Sequence, residues 1–286
     1  MRTAILRLFL SAGAALLLAV APAAAAGGAA HVQTASDGAL SASYSYSGRP
    51  PFYHSDTLTI RDHGHVVYSR RVNAPLCGHD CSPGATGPHA SSLQFAVFTP
   101  GSTPVLVLNL YSGGAHCCTT GQVFAPHANG TWTATSHMFG DPGYRLADLG
   151  HNGVQEFLSA DDTFAYAFTD YAASGMPLQI MGFAHHRFLN LTRQYPRLIA
   201  SDARVWMRAF RAQRSSRYAD TTGLVAAWAA DEDELGHSAE VARFLRAQAA
   251  AGHLNSPLAP SVPQGQRFVS ALNRLLRRLG YLTPAR

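Results

Sequence analysis

The 286-residue chain carries 22 basic side chains against 17 acidic ones, a net charge of +5 with histidine neutral, and 47% of it is hydrophobic. That length admits one large domain or two small ones. All of the basic residues are arginine, a usage that together with the abundant alanine reflects a GC-rich coding sequence, so no nucleic-acid partner is expected.

Residues 1–26 read as a signal peptide: Arg2 and Arg7 precede an apolar run that ends in small residues, with an A-x-A site at Ala24 and Ala26. After it, no run reaches the ~18 apolar residues that span a bilayer, and no transmembrane segment is expected in the mature chain. The expected location is the periplasm or the extracellular space.

Composition then divides the chain near Tyr195 and Pro196. Residues 27–195 hold 7 arginines against 10 carboxylates, whereas residues 196–286 hold 13 against 7. The first part reads as strands, because TLTIRD, HVVYSRRV, LQFAVF, PVLVLNL, GQVFA, TWTATS, FAYAF and LQIMGF are short, β-branched or aromatic, and bounded by turn residues. FAYAF is expected to set Phe164, Tyr166 and Phe168 on one face, and VLVL to be a strand covered on both faces. The second part reads as helices: one beginning with a Ser201-Asp202 cap, one running from Ser238 to Gly252, and one ending at Gly280 with Phe268, Leu272, Leu275 or Leu276, and Leu279 inward.

Four cysteines in a secreted chain favour two disulfides. Cys77 and Cys81 form one group, Cys117 and Cys118 the other. A bond between adjacent cysteines closes a strained ring, so each member of the second group is expected to pair with one of the first. Copper or zinc held by Cys77, His79, Cys81, His116, Cys117 and Cys118 is the metal alternative.

NLYSGGAHCC from Asn109 aligns without gaps on DLGHNGVQEF from Asp148, an offset of 39 residues. Each copy leaves an apolar segment, crosses a glycine-containing turn and enters a strand. The second copy, DLGHNGVQE, resembles the FG-GAP or VCBS repeats of secreted β-propeller proteins, whose D-x-[DN]-x-[DN]-G-x-x-[DE] loop often binds calcium. The resemblance implies Ca2+ at Asp148, Asn152 and Glu156, although Gly150 departs from the pattern by removing a ligand. Waters, backbone carbonyls, or Asp161 and Asp162 would complete the about six to eight oxygens such an ion takes. The alternative is an Asp/Asn turn that bonds its own backbone. Two such units cannot close a propeller of about four or more blades. The fold expected is α+β, an all-β sandwich or partial propeller-like stack of sheets over 27–195 followed by a helical domain over 196–286.

No Walker loop, G-x-S-x-G, H-E-x-x-H or Rossmann fingerprint is present. The leading reading is a secreted, non-catalytic binding protein whose ligand the sequence does not name, an envelope glycan or protein being the candidate partner and a cation at the Asp148 loop a candidate stabiliser. A second reading is a hydrolase of envelope glycans or phosphoesters that uses Asp161, Asp162 and Glu156 as acid, base or ligands, with His151 or His185 and His186 in reach. Copper or zinc handling is the third. Arg204, Arg208, Arg211 and Arg214 share a helix face, with Val205, Trp206 and Phe210 available for burial. They could touch anionic envelope material, or be a solvated face partly neutralised by the acids of Asp231–Glu234.

Overall fold

A computed structural model describes residues 30–49, 52–77, 81–85, 91–216, 220–257 and 259–282. The expected signal peptide and His79 lie outside the described residues. Thirteen strands form three antiparallel sheets, and four helices follow.

The first sheet is a meander of β1 (Ala30–Asp37), β2 (Leu40–Arg49), β3 (Phe52–Asp62) and β4 (His65–Arg71). Strand β2 shows why: Leu40, Ala42, Tyr44 and Tyr46 are buried while the serines between them are not, the period-two pattern of a half-covered sheet. The second sheet contains β5 (Ser82–Pro83), β6 (Leu93–Ala96), β7 (Val105–Tyr111), β8 (Thr119–Pro126) and β9 (Trp132–Gly140). The third is β10 (Arg145–Ala147), β11 (Glu156–Ala160), β12 (Leu178–Ala184) and β13 (Arg187–Asn190).

The three sheets stack face on face, and β7 is the central plank. Its Leu106, Leu108 and Leu110 pack with Tyr44, Leu58 and Ile60 of the first sheet. Its Val107 points the other way, into a core with Phe157, Met181 and Phe183 of the third. The VLVL segment is therefore covered on both faces. The two repeat copies are both hairpins, β7–β8 and β10–β11, but the first is a central pair of its sheet and the second lies at an edge.

Helix α1 (Pro196–Gln213) begins before the expected Ser201-Asp202 cap, with Pro196 in the first turn, where proline loses no hydrogen bond. Helix α2 (Thr222–Glu234) is buried on nearly every side and was not expected as a helix, because burial all round leaves no apolar stripe to detect. Helices α3 (Ser238–Ala250) and α4 (Gly265–Leu279) have the expected span, and Gly280 ends α4 at φ 83°, the left-handed cap that glycine takes without strain.

FAYAF is not a strand. Asp162–Phe164 form a 3-10 turn, Phe164 and Phe168 are buried in the helical core, and Tyr166 is 54% exposed at φ 59°. The aromatic spacing is that of two anchors from the β11–β12 connection driven between the helices, with Tyr166 outside.

Candidate functional site

The Asp148 loop closes on itself. Asp148 Oδ1 accepts the Asn152 N–H at 3.0 Å and Oδ2 accepts the Gly153 N–H at 2.9 Å, while Asn152 Oδ1 accepts from the Val154 N–H at 2.9 Å. Gly153 and Gly150 make this compact turn: Gly153 sits at φ 79°, and Gly150 leaves room for the Asn152 side chain. Those backbone bonds, Gly153 first, hold the Asp148 carboxyl below the usual range. Glu156 opens β11 and is 4% exposed. Its Oε2 accepts the Leu149 N–H at 3.1 Å, and its Oε1 accepts the Tyr195 hydroxyl at 2.7 Å. Burial, then the Glu156 carboxylate, push the Tyr195 phenol up to about 12.

The side-chain donors at this loop are few for a calcium shell. Gly150 offers no side chain, each carboxylate oxygen already accepts an N–H or O–H, and among the described residues no group of three or more His, Cys, Asp or Glu is placed to hold a metal ion. The loop is a self-bonded Asx turn. Asp148 lines an open groove of about 560 Å³ together with His151, Tyr195, Arg197 and Leu198.

Asp161 and Asp162 are adjacent but face different partners. Asp161 is 8% exposed; its Oδ1 caps the 3-10 turn by accepting the Thr163 N–H at 3.0 Å, and its Oδ2 accepts the Tyr281 hydroxyl at 2.9 Å. Asp162 Oδ1 accepts the Asp141 N–H at 3.2 Å, just beyond β9. Burial, more than the neighbouring Asp141 and Asp161 charges, raises its carboxyl. Gly140, at φ 65°, is required here, since any Cβ would overlap the Asp162 carboxyl. The hydrolase expectation needs an acid and a base aimed at one substrate; Glu156, Asp161 and Asp162 each accept from a different internal donor.

Sequence reasoning missed the rest of this polar seam. Asp202, read as a helix cap, sends its Oδ2 to the Leu178 N–H at 3.1 Å on β12 and to Trp206 Nε1 at 2.9 Å. Asp231 on α2 is 1% exposed and faces Asp202. Burial first, then the Asp202 charge, push its carboxyl up to about 10, so it is protonated at neutral pH. Arg193, just before α1, lies 3.3 Å from Glu234 and donates to the Gly280 and Tyr281 carbonyls at 2.7 and 3.1 Å, tying the ends of α2 and α4 together. An arginine on the last carbonyls of a helix also complements its dipole. The seam's one visible signal was a run of acids directly after the apolar LVAAWAA of α2.

The cysteines pair locally, against expectation: Cys77 bonds Cys81, with Cα atoms 5.5 Å apart, and Cys117 bonds its neighbour Cys118. Each pair closes its own turn. The Cys81 carbonyl accepts the Ser55 N–H at 2.9 Å, and the Cys118 carbonyl accepts the Ser112 N–H at 3.1 Å. With no free cysteine among the described residues, these sulfurs are not thiolate ligands for copper or zinc. His116 stacks on Tyr171 at 3.9 Å, and His186, with His185 in the β12–β13 turn, stacks on His127 at 3.8 Å.

No family model matches the chain, and no solved structure matches it. An uncharacterized protein of Sinorhizobium fredii is 28% identical over 137 residues, covering 47% of this chain and 21% of that protein. A probable thylakoid lumen protein of Synechocystis sp. is 33% identical over 91 residues, covering 31% of this chain and 27% of that protein. The chain thus spans roughly a quarter or less of the length of these curated relatives. No helix among the described residues is long and apolar enough to cross a membrane.

Proposed function

We propose that this is an extracytoplasmic, non-catalytic binding protein in which buried carboxylates lock a stack of sheets onto a helical layer. The observation that carries this reading is the fate of Glu156 and Asp161, two of the three candidates for hydrolysis: each accepts a hydrogen bond from a tyrosine at a helix end, Tyr195 at the N-cap of α1 and Tyr281 just past α4. A carboxylate held this way braces the fold and presents neither oxygen to a substrate. Support for the location comes from the layout of residues 1–26, from cystines that persist in oxidising compartments, and from the lumenal relative. The likeness of the Asp148 hairpin to FG-GAP or VCBS repeats remains a proposal about ancestry, supported by the aligned turns of β7–β8 and β10–β11.

The test is turnover of cell-wall glycan and of an aryl phosphoester by the purified protein. No turnover above buffer is expected. Turnover that disappears in Glu156→Gln or Asp161→Asn while the circular dichroism spectrum stays native would overturn the reading.

A further inference from the structure

The helical part turns its opposite charges in opposite directions. Its acids point inward or are spoken for: Asp220, Asp231 and Asp233 are buried, Asp202 accepts two N–H groups, and Glu232, Glu234 and Glu240 pair with His237, Arg193 and Arg243. The acids of Asp231–Glu234 therefore do not form the neutralising surface expected from the sequence.

The arginines of α1 point out. Arg197, Arg204, Arg208 and Arg211 are exposed, and no ion pair or side-chain hydrogen bond joins them to another described residue. At about 3.6 residues per turn they fall in one arc of roughly 60°, spread over about 21 Å of helix. Arg214 is the C-cap residue instead, and Arg197, about two turns before Arg204, takes its place in the stripe. Along its edge, seven residues apart, stand Leu198 and Val205, 37% and 44% exposed; Val205 is not the core residue it was expected to be. Arg197 lines the same groove as Asp148, and the one carboxylate on α1, Asp202, is taken up by the Leu178 N–H and Trp206 Nε1.

We propose that this face of α1 docks on an anionic phospholipid surface. A cationic band bordered by exposed aliphatic side chains is the pattern of a helix that lies in the headgroup region, where guanidinium groups meet phosphates and the aliphatic edge enters the acyl boundary. A soluble polyanion would use the arginines and gain nothing from Leu198 and Val205. The proposal names a partner for the binding protein argued above and rests on that reading only for the compartment, because vesicle binding and absence of turnover are measured separately.

The test is co-sedimentation of the full mature chain with phosphatidylcholine vesicles, with and without phosphatidylglycerol, beside binding to soluble polyphosphate. Expected is salt-sensitive binding to the phosphatidylglycerol vesicles alone. It should weaken roughly fivefold for each of Arg204→Gln, Arg208→Gln and Arg211→Gln. Leu198→Ser with Val205→Ser should weaken vesicle binding and leave any polyphosphate binding unchanged. Absence of binding to phosphatidylglycerol vesicles at low salt overturns the proposal. So does a serine pair that binds vesicles like wild type, which would point to a soluble polyanion, and so does an equal loss from Arg267→Gln with Arg274→Gln on α4.

Discussion

Replacing Asp231 by asparagine should stabilise the protein at neutral and alkaline pH. The side chain is 1% exposed, its Oδ2 makes no hydrogen bond, and its carboxyl is pushed up to about 10 by burial and by Asp202. In the unfolded chain the same group titrates near ~3.9. Below about pH 4 both states hold the proton and the group costs nothing. Between about 4 and 10 only the unfolded chain releases it, so stability falls as pH rises, by at most ~1.4 kcal/mol per unit. At pH 7 that limit is about 4 kcal/mol, and sharing of the proton with Asp202 brings the expected cost to about 2 kcal/mol. Asparagine keeps the volume, cannot ionise, and can donate its amide to Asp202. Urea unfolding of wild type and Asp231→Asn at pH 5 and pH 8 measures the difference. The variant should be more stable at pH 8 by about 2 kcal/mol, or about 4–8 °C in Tm, with a shallower decline between the two pH values. A variant that is less stable at pH 8, or whose pH dependence parallels wild type, would mean that Asp231 is ionised in the fold and would refute the reasoning.

Tyr195→Phe should cost about 1–3 kcal/mol in urea unfolding, because it strips a hydrogen bond from the buried Glu156 carboxylate; an unchanged midpoint would show that water replaces the phenol. Gly140→Ala should lower Tm by several degrees, since φ 65° and the Asp162 carboxyl both oppose a Cβ, and a neutral result would mean that Asp162 moves freely. Non-reduced chymotryptic cleavage at Phe95 or Phe98, between the two cysteine groups, should leave peptides that are not linked to each other. A linked pair would restore the crossed connectivity.

What could be read from the chain follows from where the physics is local. The unbroken apolar VLVL of PVLVLNL is visible because β7 has neighbours on both faces, and α3 and α4 are visible because each has an apolar stripe and a glycine stop. Helix α2 escaped because its environment is the same all round. Phe164 and Phe168 misled, because spacing alone does not distinguish two anchors in a turn from a strand face. The candidate site was half legible. Glu156 stands out by its place in the repeat motif and Asp161 and Asp162 as adjacent carboxylates, but the partners of Glu156 and Asp161, Tyr195 and Tyr281, lie 39 and 120 residues away, contacts that only the tertiary fold creates. Ring strain argues against a Cys117–Cys118 bond in the sequence, yet the two are bonded to each other between β7 and β8.

The central claim is that these carboxylates bind the helices to the sheets. Its most direct test is a double-mutant cycle between Asp161→Asn and Tyr281→Phe by urea unfolding. A coupling of about 1.5–3 kcal/mol, the range for a hydrogen bond to a charged group, is predicted. Additive effects, with coupling indistinguishable from zero, would contradict the account and return Asp161 to the list of groups available for chemistry.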